Sequence, residues 1–229
     1  MSETAPLQES RWIARRAGWC VIGLGIADLA YGIVFAPPGM INFRIIGILA
    51  GLLILFGGLK LHAVVRWLAL LVIGGMLLEP VLPFVVVPAS LTLTRMRLYP
   101  FQFVLSCIPW LLWMAMMGIA AGALSHPLLL AARVSAGRRV HSARIPLVIG
   151  IVLAVGAAVV QVRVLDGEAG RKASRLVAER LGPGYQYYTQ TLQYTRPITA
   201  RSSRPTVVSA TVQAWNEREV LNVPVRWEE

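Results

Sequence analysis

The run PLVIGIVLAVGAAVVQV, residues 146–162, contains no charged residue. A helix needs about 20 apolar residues to cross the hydrocarbon core of a bilayer, and this run comes close to that length. Four further long apolar runs precede it, whereas residues 163–229 have the mixed composition of a soluble domain. The sequence therefore predicts a polytopic α-helical membrane protein with a folded C-terminal tail. The five predicted transmembrane helices are 17–36, 44–60, 67–88, 101–124 and 146–162.

The formal charge of +11 is concentrated beside the predicted spans. Residues 1–162 carry 12 Arg and Lys against 4 Asp and Glu, while residues 163–229 carry 10 against 7. The segments before span one, between spans two and three, and between spans four and five are basic, which predicts that they are cytoplasmic. Their basic residues are Arg11, Arg15, Arg16, Lys60, Arg66, Arg133, Arg138, Arg139 and Arg144.

This charge pattern predicts a bacterial-type inner (plasma) membrane protein. Residues 1–16 form a cytoplasmic N-terminal segment, 17–162 the five-span bundle, and 163–229 an extracytoplasmic domain, because an odd number of spans separates the two ends of the chain. Anionic membrane lipid is a sufficient partner for the basic segments, so no nucleic-acid partner is predicted.

Two carboxylates fall inside predicted spans, Asp28 in the first and Glu79 in the third. An ionisable group inside a bilayer is costly unless it is neutral or paired, and Arg44 is the nearest candidate cation. Three interpretations stay open. The carboxylates are hydrogen-bonded within the bundle, they bind a polar group on a partner span, or they form a proton or cation pathway. Pro80 adds to the polarity near Glu79, because it leaves the carbonyl of Met76 without its helical donor.

Small residues recur at a spacing that allows close helix approach. The run GILAG begins with Gly47 and ends with Gly51, and the run GIAAG begins with Gly118 and ends with Gly122. Such G-x-x-x-G patterns are typical of helix packing in membranes, either within one chain or between chains. The sequence thus predicts intrachain packing and leaves an oligomer as an alternative.

The tail has the pattern of a small α+β domain. GEAGRKASRLVAERLGPG, residues 167–184, indicates an amphipathic helix that stops at Gly182. Three strand-like runs follow, at 185–195, 205–215 and 219–227. One helix on a three-stranded antiparallel meander buries both apolar faces, so that arrangement is predicted.

The first strand of this meander is predicted to keep an open edge, because the middle strand is paired on both sides and Pro224 blocks part of the last. A partner's extended segment could add to that edge, as could the alternating SLTLT of residues 90–94. The residues assigned to this edge are Tyr185, Tyr187, Thr189 and Gln190.

No recognisable catalytic or metal-binding motif occurs in the sequence, and no cofactor is predicted. The leading hypothesis is a non-enzymatic accessory, assembly or interaction subunit of a plasma-membrane complex, with another membrane or periplasmic protein as its partner. The alternative is a small proton- or cation-linked transporter or channel component that uses Asp28 and Glu79. A membrane enzyme with its site at the outer surface is a third hypothesis.

Overall fold

The computed structural model describes residues 4–35, 45–195 and 206–228. The chain forms two compact units, one of residues 1–78 and 105–154 and the other of residues 79–104 and 155–229. The helices are α1 Thr4–Phe35, α2 Ile45–Phe56, α3 Leu59–Met76, α4 Leu82–Val86, α5 Ala89–Leu98, α6 Pro100–Leu124, α7 Pro127–Ser135, α8 Arg144–Leu165 and α9 Glu168–Leu181. The strands are β1 Gln186–Thr195, β2 Val207–Trp215 and β3 Val220–Glu228.

Four helices among the described residues are long and apolar enough to cross a membrane. The helix α2 has 12 described residues, which extend about 18 Å and fall short of a hydrocarbon core of about 30 Å. The prediction of a membrane protein is therefore supported, while the count of five spans is not. The four candidate spans are Glu9–Phe35, Leu59–Met76, Pro100–Leu124 and Arg144–Leu165.

Helices in the first unit alternate in direction. The helix α2 runs back along α1, because Gly51 lies beside Gly18 and Gly47 lies beside Gly25. The helices α3 and α6 are also antiparallel. Arg66 near the start of α3 bonds Ser125 after the end of α6, and Trp110 bonds Met76 at the end of α3. The starts of α1 and α3 and the ends of α2 and α6 therefore lie at one end of this unit.

The third predicted span is displaced from its expected position. It was predicted at 67–88, but α3 begins at Leu59 and ends at Met76, followed by turns and the five-residue helix α4. Pro80 cannot donate the backbone bond that would continue the helix, so the apolar run of 72–88 breaks there. Glu79 therefore lies after α3, outside the candidate span Leu59–Met76.

The fourth predicted span agrees closely with α6, which contains Pro109. It ends at Leu124, and α7 starts after His126 with Pro127 in its first turn, the position where proline is tolerated. The fifth predicted span agrees with the centre of α8.

The second unit contains the predicted helix and the predicted meander. The helix α9 ends at Gly182, whose φ of 82° is readily adopted by glycine. The strand order is β1-β2-β3, with both neighbouring pairs antiparallel. Buried Ala173 and Val177 of α9 pack on the face of the sheet that carries Val212 and Val225. The helix-on-meander architecture predicted from the sequence is therefore confirmed.

The segment 90–94, predicted as extended, is helical instead. It belongs to α5, whose first backbone bonds run from Leu91 and Thr92 to the carbonyl of Pro88. The buried side chain of Leu91 packs with Tyr188 and Trp215. This contact explains why residues 79–104 cluster with the C-terminal part of the chain.

Candidate functional site: the sheet of the second unit

The strand β1 lies at one edge of the sheet. Its residues pair only with β2 among the described strands, from Gln186 opposite Trp215 to Thr195 opposite Val207. The register shifts between Thr189 and Thr191, so Gln190 is the extra residue of a β-bulge. An edge strand presents unpaired backbone donors and acceptors, to which another extended segment can bind.

The bulge is fixed by a hydrogen-bonded group of amide side chains. Gln213 of the central strand is almost fully buried. Its Nε2 donates to Oε1 of Gln190 at 2.7 Å and to Oδ1 of Asn222 at 3.0 Å. These bonds join all three strands, and they satisfy both donors of a buried amide that would otherwise be destabilising.

The predicted edge residues Tyr185, Tyr187 and Thr189 also stabilise the fold. The hydroxyl of Tyr185 donates to Oε1 of Glu219, and the hydroxyl of Tyr187 donates to the carbonyl of Gly182. Thr189 is buried, and its hydroxyl donates to the carbonyl of Gly170 at 2.8 Å. The side chains of these three residues therefore hold the start of the first strand region against Glu219, Gly182 and Gly170. A partner at this edge would contact the backbone and residues further along the strand.

The sheet has two faces of different character. One carries the apolar residues that pack against α9. On the other face, Leu91 covers the end near Tyr188 and Trp215, and the hydroxyl of Ser90 donates to Oε1 of Gln186 at 3.2 Å. The opposite end of that face has a shallow cavity of about 370 Å³. Its polar lining residues are Thr191, Gln193, Ser209, Thr211 and Arg226.

This polar surface, formed by Thr191, Gln193, Ser209, Thr211 and Arg226, was missed in the sequence analysis. Its signal was the alternation of polar and apolar residues in all three strands, as in VVSATVQAW of β2. The polar members of an alternating strand share one face. Because β1 contributes two of the five, the polar surface adjoins the edge of the sheet.

Asp28 is the one predicted intramembrane carboxylate that lies within a candidate span. It is 0% exposed, and one of its carboxylate oxygens accepts a hydrogen bond of 3.2 Å from the indole Nε1 of Trp113. This geometry favours the interpretation that the carboxylate is hydrogen-bonded within the bundle. Glu79 is exposed and follows α3, and Arg44 lies outside the described residues.

A second tryptophan satisfies a carbonyl near Pro80. The indole Nε1 of Trp110 donates to the carbonyl oxygen of Met76 at 3.2 Å. Pro80 is four residues after Met76 and has no N–H, so this carbonyl lacks its usual helical donor. The indole supplies a donor from another helix, as expected where backbone is freed at membrane depth.

The two predicted glycine pairs have different surroundings. A Cβ at Gly51 would lie 2.9 Å from the carbonyl oxygen of Gly18, and one at Gly47 would lie 2.7 Å from Sδ of Met116. These glycines allow α1, α2 and α6 to approach closely. A Cβ at Gly118 or Gly122 would meet nothing within 4 Å, so no intrachain packing role appears for that pair in the part of the chain that the structure describes.

The helices α3 and α8 also approach closely, a contact that the sequence did not predict. A Cβ at Gly150 would collide with the carbonyl oxygen of Leu71, and one at Gly74 would collide with that of Leu147. The adjacent glycines of VIGGM were the available signal. Their partners could not be identified, because that pairing depends on tertiary packing.

Among residues 4–35, 45–195 and 206–228, no three His, Cys, Asp or Glu side chains lie close enough to hold a metal ion. Comparison of the chain with protein-family models, with curated proteins and with solved structures finds no match.

Proposed function

We propose that this chain is a non-enzymatic accessory or assembly subunit of a bacterial-type plasma-membrane complex. Its N-terminal helices anchor it in the bilayer, and its C-terminal α+β unit recognises a partner protein. The support is the presence of four helices that are apolar enough to span a membrane and of a sheet in the second unit that has an open edge.

One observation carries this proposal. The segment 90–94, the internal candidate for a fourth strand, is part of the helix α5. Leu91 packs on a face of the sheet and leaves the edge of β1 without a strand in the described ranges. The segment 90–94 is thereby excluded as a fourth strand, which favours a strand from another protein.

The partner strand that fits this edge is an alternating one. Tyr194 is 56% exposed and lies on the opposite face of β1 from Thr191 and Gln193. An aromatic or branched apolar side chain of the partner would pair with Tyr194, and polar side chains would face the polar surface. Cross-strand pairs of this kind contribute about 0.2–1 kcal/mol each, so backbone bonds supply much of the affinity.

The proposed topology places the C-terminal unit outside the cytoplasm. Five passes result if the short α2 crosses the membrane together with the four candidate spans. Five passes put the basic end of the first unit in the cytoplasm, as the positive-inside rule requires, and the C-terminal unit in the periplasm.

The test is co-purification from native membranes in mild detergent, with the bound proteins identified. Neighbouring strand residues direct their amides to opposite edges of the strand. Of the two variants Gln193→Pro and Tyr194→Pro, one therefore removes an outward-facing amide and the other removes a hydrogen bond to β2. We expect the variant that keeps the wild-type melting temperature to lose the partner. Retention of the partner by that variant would rule out the edge as the recognition surface.

Only the burial of Asp28 favours the alternative, a proton- or cation-linked transporter or channel component. Such a role for Asp28 and Glu79 predicts that Glu79→Gln abolishes function without changing the amount of folded protein. A structural or surface role predicts that Gln is tolerated at this exposed position.

A further inference from the structure

Three arginines gather at the end of the first unit where α3 begins and α6 ends. Arg66 is mostly buried, and its Nε donates to the hydroxyl of Ser125 at 2.8 Å. Its Nη1 donates to the carbonyl of His141 at 3.1 Å. Arg133 and Arg138 lie near it on α7 and in the following loop, where the amide of Arg138 donates to the carbonyl of Arg133 at 3.0 Å.

Arg133 has hydrogen-bonding capacity that the described residues do not use. The residue is 3% exposed, yet its Nε and Nη2 have no partner in the described ranges, and neither has the buried Nη1 of Arg138. Burial lowers the pKa of Arg133, and the nearby charges of Arg66 and Arg138 lower it further. A buried guanidinium beside like charges is unfavourable unless an anion compensates it.

The sequence offers few carboxylates for this purpose. No Asp or Glu occurs between Glu79 and Asp166, and the first 78 residues contain only Glu3, Glu9 and Asp28. Asp28 accepts the bond from Trp113, and Glu9 is exposed. Glu3 lies outside the described residues, so it enters the test below as a control.

A cavity lies at the same end of the first unit, and none of the three arginines is among the residues that line it. This cavity of about 390 Å³ is lined by Arg11, Arg15, His62 and Leu129, among others. Leu129 and Arg133 are one helical turn apart and are both buried, so they share the inner face of α7. His62 donates from Nε2 to the carbonyl of Ile54 at 2.9 Å and has a buried Nδ1 without a partner in the described part of the chain.

We propose that Arg66, Arg133 and Arg138 form a binding site for a phosphate group. Phosphate carries several acceptor oxygens and matches the planar donor fork of a guanidinium in a bidentate manner. The phosphate belongs either to an anionic lipid headgroup or to a free phosphate ion. This site is independent of the sheet edge, so neither proposal depends on the other.

The test uses the full-length protein, purified and delipidated in neutral detergent. Its melting temperature is measured with phosphatidylglycerol, with phosphatidylcholine and with inorganic phosphate, all at equal ionic strength. Stabilisation by phosphatidylglycerol alone identifies a lipid headgroup, and stabilisation by inorganic phosphate identifies a free anion. No stabilisation by either would overturn the proposal.

Arg139 provides a matched control, because it is an exposed arginine of the same loop. Arg133→Gln is expected to weaken the apparent affinity about tenfold, corresponding to one lost charge-assisted hydrogen bond, while Arg139→Gln leaves it unchanged. Equal losses in the two variants would show general surface attraction and overturn the site. If Arg133→Gln does not fold, Arg138→Gln gives the same comparison.

Glu3→Gln distinguishes an internal carboxylate from an external phosphate. We expect this variant to bind like the wild type. If the wild type bound neither probe and Glu3→Gln bound one of them, Glu3 would be the occupant of the site, and the proposal would be wrong.

Discussion

Apolar side chains are exposed along α8 and buried in the sheet of the second unit. In α8 of the first unit, Val152 is 62% and Leu153 59% exposed, whereas Val208 and Val212 of the second unit are 0% exposed. Burying apolar area stabilises a domain by roughly 25 cal/mol per Å², so an exposed valine surface signals a different solvent. The comparison indicates that the surface of α8 is adapted to lipid, whereas the sheet of the second unit has the buried core of a water-soluble domain.

The units also differ in how their elements are joined. The helices of the first unit approach through glycines, where the absence of a Cβ lets backbones come close. The second unit buries valines and alanines between a helix and a sheet and joins its strands through the amides around Gln213. Added volume should therefore be most harmful at the glycine contacts of the first unit and at Gly170 of the second.

The largest expected effect is that of Gly150→Val. The new Cβ would overlap the carbonyl oxygen of Leu71, so α3 and α8 would have to separate. Overpacking costs about 1–3 kcal/mol and more where backbone must move, and we expect most of the monodisperse protein to be lost. Yield and melting temperature in detergent measure this effect.

Gly118→Val is the control for that experiment, because a Cβ at Gly118 meets nothing within 4 Å. It carries the same change in helix propensity. Equal losses in Gly118→Val and Gly150→Val would mean that propensity, and not the contact between α3 and α8, determines the result.

A smaller effect is expected for Gly170→Ala in the second unit. The added methyl would collide with the carbonyl oxygen of Leu165, at a cost of about 1–3 kcal/mol. Alanine gains about 1 kcal/mol in helix propensity over glycine, which offsets only part of that cost. Faster proteolysis of α9 is the measurement. Gly184→Ala, where a Cβ meets nothing within 4 Å, should leave the rate unchanged, and equal rates in both variants would contradict the account.

The smallest expected effect is that of Asp28→Asn, which distinguishes a structural carboxylate from a functional one. Asp28→Asn keeps an acceptor for Trp113, while Asp28→Leu leaves a buried indole donor unsatisfied, at about 1–3 kcal/mol. We expect the Asn variant to melt near the wild-type temperature and the Leu variant to melt lower. If Asn were as damaging as Leu, the negative charge itself would matter and the pathway hypothesis would gain support.

Local patterns predicted a large part of this fold. The end of α9 at Gly182 and the three alternating strands are set by neighbouring residues, so the α+β unit was predictable. The break at Pro80 was harder to predict, because a proline inside a long apolar run either kinks a helix or ends it. The segment 90–94 was misassigned, since five alternating residues do not exclude a helix and Pro88 favours a helix start.

The candidate sites were less predictable than the fold. A buried carboxylate at Asp28 follows from its position in an apolar run, but its partner Trp113 is 85 residues away in the chain. The arginine cluster likewise unites α3, α7 and the following loop. Long-range contacts of this kind depend on which helices are neighbours, and a single sequence does not specify that.

The central claim is that the C-terminal unit and the basic end of the first unit lie on opposite sides of the membrane. Single cysteines at Ser135 in α7 and at Glu217 in the turn before β3, both exposed, would be introduced after replacing Cys20 and Cys107 by alanine. An impermeant thiol reagent on cells with a permeable outer membrane should label position 217 and leave 135 unlabelled until the inner membrane is opened. Labelling of 135 alone would invert the account. Labelling of neither position before opening would also contradict it, because both positions would then lie on the same side and α8 would not cross the membrane.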